Sequence, residues 1–204
     1  MKNQLLIIFV KNPQLGRAKT RLAATIGDEA ALEAYKRLLT KTRDVTLELP
    51  FDKVVYYDQF VDDTDLWHRK DYHKSVQIEG QLGEKMQDAF ESAFKEGYQR
   101  ICIIGSDCYD LTTEILAQAF EALEQHDAVM GPSKDGGYYL IGLSKANFSI
   151  FENKSWSTES VASDTIKDFE REGLSYAQLP ILNDVDTEAD LGEWASDLIR
   201  TEIK

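Results

Sequence analysis

Leu5-Leu6-Ile7-Ile8-Phe9-Val10 is a run of six apolar residues with no polar break. A strand with one wet face alternates apolar and polar residues. An unbroken run fits a strand covered on both faces, as in a parallel sheet sandwiched between helices. Ile101-Cys102-Ile103-Ile104 repeats the pattern, and Val54-Val55-Tyr56-Tyr57 reads as another strand. Between them lie helical periodicities: Ala31, Leu32, Tyr35, Leu38 and Leu39; Met86, Ala89, Phe90, Ala93 and Phe94, with Gly97 as a C-terminal stop; and Ile115, Leu116, Ala119, Phe120 and Leu123. Further strands are expected at 76–78, 128–130, 138–143 and 176–182, and a helix over about 158–171. Thr187-x-x-Asp190 reads as a capping box opening a last helix. Residues 58–75 have no clear period and are expected to form a variable loop. Alternating strands and helices predict a three-layer α/β/α sandwich with a mostly parallel central sheet. With 204 residues and no linker or repeat, one domain over 1–204 is expected.

Charge narrows the range of ligands. The chain carries a net −13, yet residues 1–43 hold nine Lys or Arg against three Asp or Glu, while 44–204 hold fourteen against thirty-three. So acidic a chain repels a phosphate backbone, so no nucleic-acid partner is expected. A basic island in it points to a small anionic ligand bound at one place, or to no more than a basic helix face. Cys102 and Cys108 are too few for a disulfide scaffold or a zinc site of their own. No apolar run approaches the length of a membrane span, and the N-terminal one is short for a signal segment. A soluble, cytoplasmic protein is expected.

Five segments carry chemistry. Residues 11–22 leave the first strand and hold Lys11, Arg17, Lys19 and Arg21 with no acid; Gly16 allows close backbone approach. The segment reads as a cradle for a di- or triphosphate, or else as a solvated basic loop; it is not a Walker A motif. A structureless stretch from 11 to about 27 is expected. Gly105-Ser106-Asp107-Cys108 follows the strand at 101–104. Asp107 is placed to hold a divalent cation, or to cap a turn, with Ser106 as a substrate contact. Asn183-Asp184-Val185-Asp186-Thr187 precedes the last predicted helix. One of its acids is a candidate second ligand, with Asp186 preferred; strand alternation places Asp184 and Asp186 on one side. Helix capping is the alternative for both. In Asp135-Gly136-Gly137-Tyr138, Asp135 and Tyr138 are candidates to contact a sugar or acceptor, or the segment is a plain turn. Trp156-Ser157-Thr158 is a pocket wall, or a buried Trp with a helix cap.

Taken in order, Lys-x-Pro-x-x-Gly-x-x-Lys-Thr-Arg-Leu at 11–22, Gly-Ser-Asp-Cys at 105–108, Gly-Pro-x-x-Asp-Gly-Gly-Tyr-Tyr-Leu-Ile-Gly-Leu at 131–143, Trp-Ser-Thr at 156–158 and Asp-Val-Asp-Thr-x-x-Asp-Leu at 184–191 resemble a bacterial family of glycosyltransferase-A-like proteins, formerly a domain of unknown function. Family members usually carry Pro where this chain has Tyr109. The family is similar to nucleotide-diphospho-sugar transferases and to the guanylyltransferases of phospholactate and the molybdenum cofactor. The Val185-Asp186-Thr187-x-x-Asp190-Leu191 ending looks like that of sugar cytidylyltransferases, whose first Asp of this motif binds magnesium. The resemblance implies a glycosyltransferase-A-like fold and a metal-dependent, nucleotide-binding transferase. Mg2+ or Mn2+ would be held by Asp107 and Asp186. A nucleotide or nucleotide-sugar donor would contact Lys11, Gly16, Arg17, Lys19, Arg21, Ser106, Gly136, Gly137 and Tyr138. Two reactions follow: glycosyl transfer to a small-molecule acceptor, with Asp135 as base, or nucleotidyl transfer releasing pyrophosphate, with Lys19 and Arg21 clamping a triphosphate. A non-catalytic nucleotide-binding regulatory module is the third reading.

Overall fold

The computed structural model describes residues 3–199. Its centre is β1 (Gln4–Val10), flanked in parallel by β2 (Asp52–Tyr57) and β4 (Arg100–Ile104). With β3 (His73–Val76), β5 (Ala128–Pro132), β6 (Tyr138–Leu143) and β7 (Tyr176–Gln178), the seven strands stand in the order β3-β2-β1-β4-β6-β5-β7. Only β6 runs against its neighbours. The expected mostly parallel sheet is present.

The apolar run of β1 serves both faces. Leu6, Ile8 and Val10 pack with Tyr35, Leu38 and Leu39 of α2 (Asp28–Leu47) and with Leu116 and Phe120 of α4 (Thr113–Ala122). Leu5 and Ile7 face the other way, toward Met86 and Phe90 of α3 (Leu82–Lys95) and Phe169 of α5 (Val161–Arg171). The pleat thus sends alternate residues into two cores, and the sheet is the middle of three layers. Cys102 and Cys108 are free and buried.

Four sequence expectations change. The stretch after β1 is not structureless to residue 27, because Thr20–Ile26 forms the short helix α1. Residues 58–72 are anchored rather than loose. Trp67 and Tyr72 are buried edge to face (5.0 Å, 79°), and Lys74 binds Asp65 at 2.7 Å beneath them. The strand expected at 76–78 pairs earlier, over His73–Val76. The strand expected over 176–182 is regular only over Tyr176–Gln178; Leu179 N still donates to Met130 O (2.9 Å), Pro180 brings no N–H to the ladder, and pairing resumes as a single parallel bridge between Leu182 and Ser133.

The last helix does not form among the described residues. The Thr187–Asp190 capping box is present, but it opens a single 3-10 turn, Glu188–Asp190. Leu191 then turns extended, so that it, Trp194 and Leu198 pack onto Leu22 of α1 and onto Ala31 and Ala34 of α2. No described helix is long and apolar enough to cross a membrane.

Candidate active site

The loops after β1, β4 and β5 meet at the C-terminal edge of the sheet, where open α/β sheets bind ligands. The first is held down at its root. Asn12, buried, accepts from the backbone N–H groups of Gln59 (3.3 Å) and Phe60 (3.2 Å), donates to Phe60 O (3.0 Å), and its own N–H donates to Asp58 (2.7 Å). Tyr35 of α2 joins the loops after β1 and β4. Its hydroxyl accepts from Lys11 N (2.8 Å), donates to Lys11 O (3.2 Å) and lies 3.2 Å from Ser106 Oγ. Burial, with Asp107 nearby, pushes this phenol far above its ordinary range, so it stays a neutral tether.

The two acidic segments do not meet as ends of neighbouring strands, since β7 is at the sheet's far edge from β4. Instead the chain after β7 threads back across the site. Leu182 N donates to Pro132 O (3.2 Å), Lys134 N to Leu182 O (3.0 Å), and Val185 N to Asp107 O (2.9 Å). Cys108 and Asp184 form an antiparallel bridge. This thread sets Asp184 and Asp186 beside Asp107.

Between them lies Lys19. Its ammonium is 2.9 Å from Asp107 Oδ1 and 3.6 Å from Asp186 Oδ1, and its side chain is only 5% exposed. Arg21, 72% exposed, reaches Asp186 Oδ2 at 3.0 Å. Two converging carboxylates repel unless a cation intervenes. In the structure the Lys19 ammonium stands between them. Lys19 itself has a left-handed backbone (φ 52, ψ 49) at the N-cap of α1, an uncommon state for a residue with a long side chain.

Asp184 lies beside the same cluster. Burial, then the charges of Asp107 and Asp135, push its carboxyl up to about 7, against the pull of Lys19 and a Ser133 hydrogen bond. Asp135 accepts from Ser133 Oγ and from Gly137 N (2.9 Å). Four acids and two cations therefore share the site. Asp184 is one of the two acids named from the 183–187 segment, whereas the roles of Ser133, Tyr35 and Asn12 carry no sequence signal, since their places depend on tertiary threading.

Asp107 and Asp186 remain 44% and 46% exposed, open to a ligand. Among the described residues no three His, Cys, Asp or Glu side chains group as a metal cage. Two accessible carboxylates suit a hard cation such as Mg2+, which usually takes one or two carboxylates and completes its shell with water and substrate phosphate. The donor set fits that kind of site and not an all-protein one.

The other predicted contacts scatter. Arg17 turns to Gln14 (3.3 Å) and Gln59 (3.1 Å), and Lys11 and Gly16 (φ 72) lie exposed along the same loop. Tyr138 faces away from the acids, its hydroxyl donating to Met86 Sδ (3.7 Å). Gly136 (φ 87) lies against α5; a Cβ there would fall 2.1 Å from Glu159 O. Trp156 is half-buried and packs over Gly83 of α3, and the N-cap of α5 is Ser160 rather than Ser157 or Thr158. Tyr109 stacks on Trp194 (4.3 Å, 9°) and lines a cleft of about 330 Å3 with Asp110, Asn183 and Glu193.

The fold is that of the nucleotide-diphospho-sugar transferases. A candidate nucleotide-diphospho-sugar transferase from Desulfovibrio desulfuricans G20 is 33% identical, with 92% of this chain and 84% of that one covered at a TM-score of 0.84. The inositol-1-phosphate CTP transferase from T. maritima shares the fold at 15% identity, 97% and 95% coverage and a TM-score of 0.60. So does glucosyl-3-phosphoglycerate synthase from Mycobacterium tuberculosis, solved with Mn2+ and uridine diphosphate, at 12% identity, 93% and 74% coverage and 0.53. A search of the curated proteins gives no match. Residues 41–158 match the family described as an uncharacterized protein conserved in bacteria (DUF2064), and the chain belongs to that family.

Proposed function

We propose that the protein is a divalent-metal-assisted transferase that binds the diphosphate of a nucleotide-sugar at the Lys19–Asp107–Asp186 cluster and transfers the glycosyl group to a small-molecule acceptor. The observation that carries this reading is the cluster itself: two accessible carboxylates at the C-terminal sheet edge, with two cations, Lys19 at the N-cap of α1 and Arg21 in its first turn. The 33%-identical D. desulfuricans relative, described as a candidate transferase of this class, supports it.

In this reading Lys19 and Arg21 face the phosphate oxygens and stabilise charge that grows as the diphosphate departs. A divalent cation on Asp107 and Asp186 supplies further neutralisation there. Asp135, exposed at the mouth, takes the acceptor hydroxyl proton. Tyr35, Asn12 and the 179–186 thread hold these groups in place, which is where much of the rate of such reactions arises.

Nucleotidyl transfer is the second reading, favoured by the full-length fold match to a CTP transferase and by the pairing of Lys19 with Arg21 at the start of α1. The product decides. Incubation with nucleotide-sugars or nucleoside triphosphates, with Mn2+ and a panel of hydroxylated and phosphorylated acceptors, should release free nucleoside diphosphate for glycosyl transfer. Pyrophosphate would establish nucleotidyl transfer instead. Tight nucleotide binding with neither product would favour a regulatory module.

A further inference from the structure

We propose that Lys19 is a built-in counter-ion that holds the cation position between Asp107 and Asp186 and has to be displaced before a divalent metal binds. The site then takes metal poorly alone and well together with a nucleotide. This rests on the reading that a metal and a nucleotide diphosphate share the site.

Lys19 is the cation in contact with both carboxylates, at 2.9 and 3.6 Å, and its side chain is almost fully enclosed. Arg21 touches Asp186 alone and is mostly in solvent, where water and salt screen it. An ammonium and a divalent ion cannot both occupy the few ångströms between the carboxylates, because like charges at that spacing repel strongly. The left-handed backbone of Lys19 points the same way. A lysine kept in a sparsely populated conformation needs an over-determining contact, and the carboxylate pair provides it. A nucleotide phosphate changes the balance. It gives the displaced ammonium a new anionic partner, while the incoming metal gains phosphate oxygens. Metal and nucleotide then favour one another, each by the same factor. Lys19 carries that coupling through a change of partner rather than through a movement of the fold.

The test measures Mn2+ binding without nucleotide, from the resonance signal of the free ion, in wild type, Lys19→Met and Lys19→Met with Asp107→Asn. Lys19→Met should bind Mn2+ about tenfold more tightly than wild type or better, a 1.4 kcal/mol step. Asp107→Asn should cancel the gain. Mn2+ should also raise the thermal midpoint of Lys19→Met more than that of wild type, since it restores a cation to paired acids. Lys19→Gln, which keeps a hydrogen-bond donor, should show the same gain and serves if the Met variant folds poorly.

Equal Mn2+ affinities in wild type and both Lys19 variants would overturn the proposal. If metal still strengthens nucleotide binding in wild type in that case, the functional reading stands and only the counter-ion role fails. If the Lys19 variants gain Mn2+ affinity while nucleotide binding in wild type ignores metal, Lys19 still holds the cation position, but the coupling to nucleotide is overturned, and with it the functional reading.

Discussion

Gly136 and the Lys19–Arg21 pair show what single positions contribute. At Gly136 an alanine would meet Glu159 backbone atoms at 2.1–2.5 Å with φ at +87. Gly136→Ala should lower stability by about 2–4 kcal/mol, read by urea unfolding, because both strain and overlap act there. Lys19→Ala with Arg21→Ala should weaken binding of a nucleoside diphosphate by about 3 kcal/mol or more in sum, from about 1.5–3 kcal/mol per charged hydrogen bond. Calorimetry with unchanged affinity would end the phosphate reading of this loop. Lys19, Arg21, Asp107 and Asp186 are legible in the sequence because each stands just past a strand or in a basic or acidic loop without a packing role. Asp184 is named by the same segment as Asp186, but only the threading of residues 179–186 shows that it is enclosed beside other acids. Tyr138 illustrates the period-two pleat. Tyr139 faces the core of α2 and α4, so Tyr138 faces the other core and Met86.

Among the elements, the loop after β1 depends most on a side chain of its own. Asn12→Ala removes three side-chain hydrogen bonds and takes their partner from the backbone groups of Gln59 and Phe60. The expected cost is about 1–3 kcal/mol, with faster amide exchange at 59–60 and weaker nucleotide binding. Unaltered exchange there would show that the loop is held by other contacts. The turn into β5 is tied to β7 by Asp127, which accepts from Ser175 N (2.9 Å) and Ser175 Oγ (2.9 Å). These bonds hold the Asp127 carboxyl below its ordinary range. A depressed carboxyl stabilises the fold above its unfolded value and loses that contribution as pH falls through the folded one. Asp127→Asn should therefore lower stability near pH 7 more than below pH 4, where protonated wild type has already lost the contribution, and so flatten the acid limb of the stability profile. An acid limb as steep as wild type would contradict this. Helix periodicity identified α2 to α5, where apolar faces meet the sheet. It failed at the C-terminus, where the cap is present but Leu191, Trp194 and Leu198 pack onto α1 and α2 through separate short turns.

For the whole molecule, the sheet was the most legible feature. Unbroken apolar strands announce coverage on both faces, and the three layers follow. The antiparallel placement of β6 between β4 and β5 was not legible, because strand order depends on which edges meet in space. The acids converge because the chain after β7 crosses the site, and Lys19 lies between Asp107 and Asp186. The central claim is that this edge of the sheet binds a nucleotide diphosphate with help from a divalent cation. Calorimetric titration of uridine, cytidine and guanosine diphosphates into wild type, with Mn2+ and then with a chelator, tests it most directly. The account predicts binding at least about tenfold tighter with Mn2+, with Asp107→Asn and Asp186→Asn losing most of that difference. Equal affinity in chelator, or Asn variants that keep the full Mn2+ effect, would contradict it.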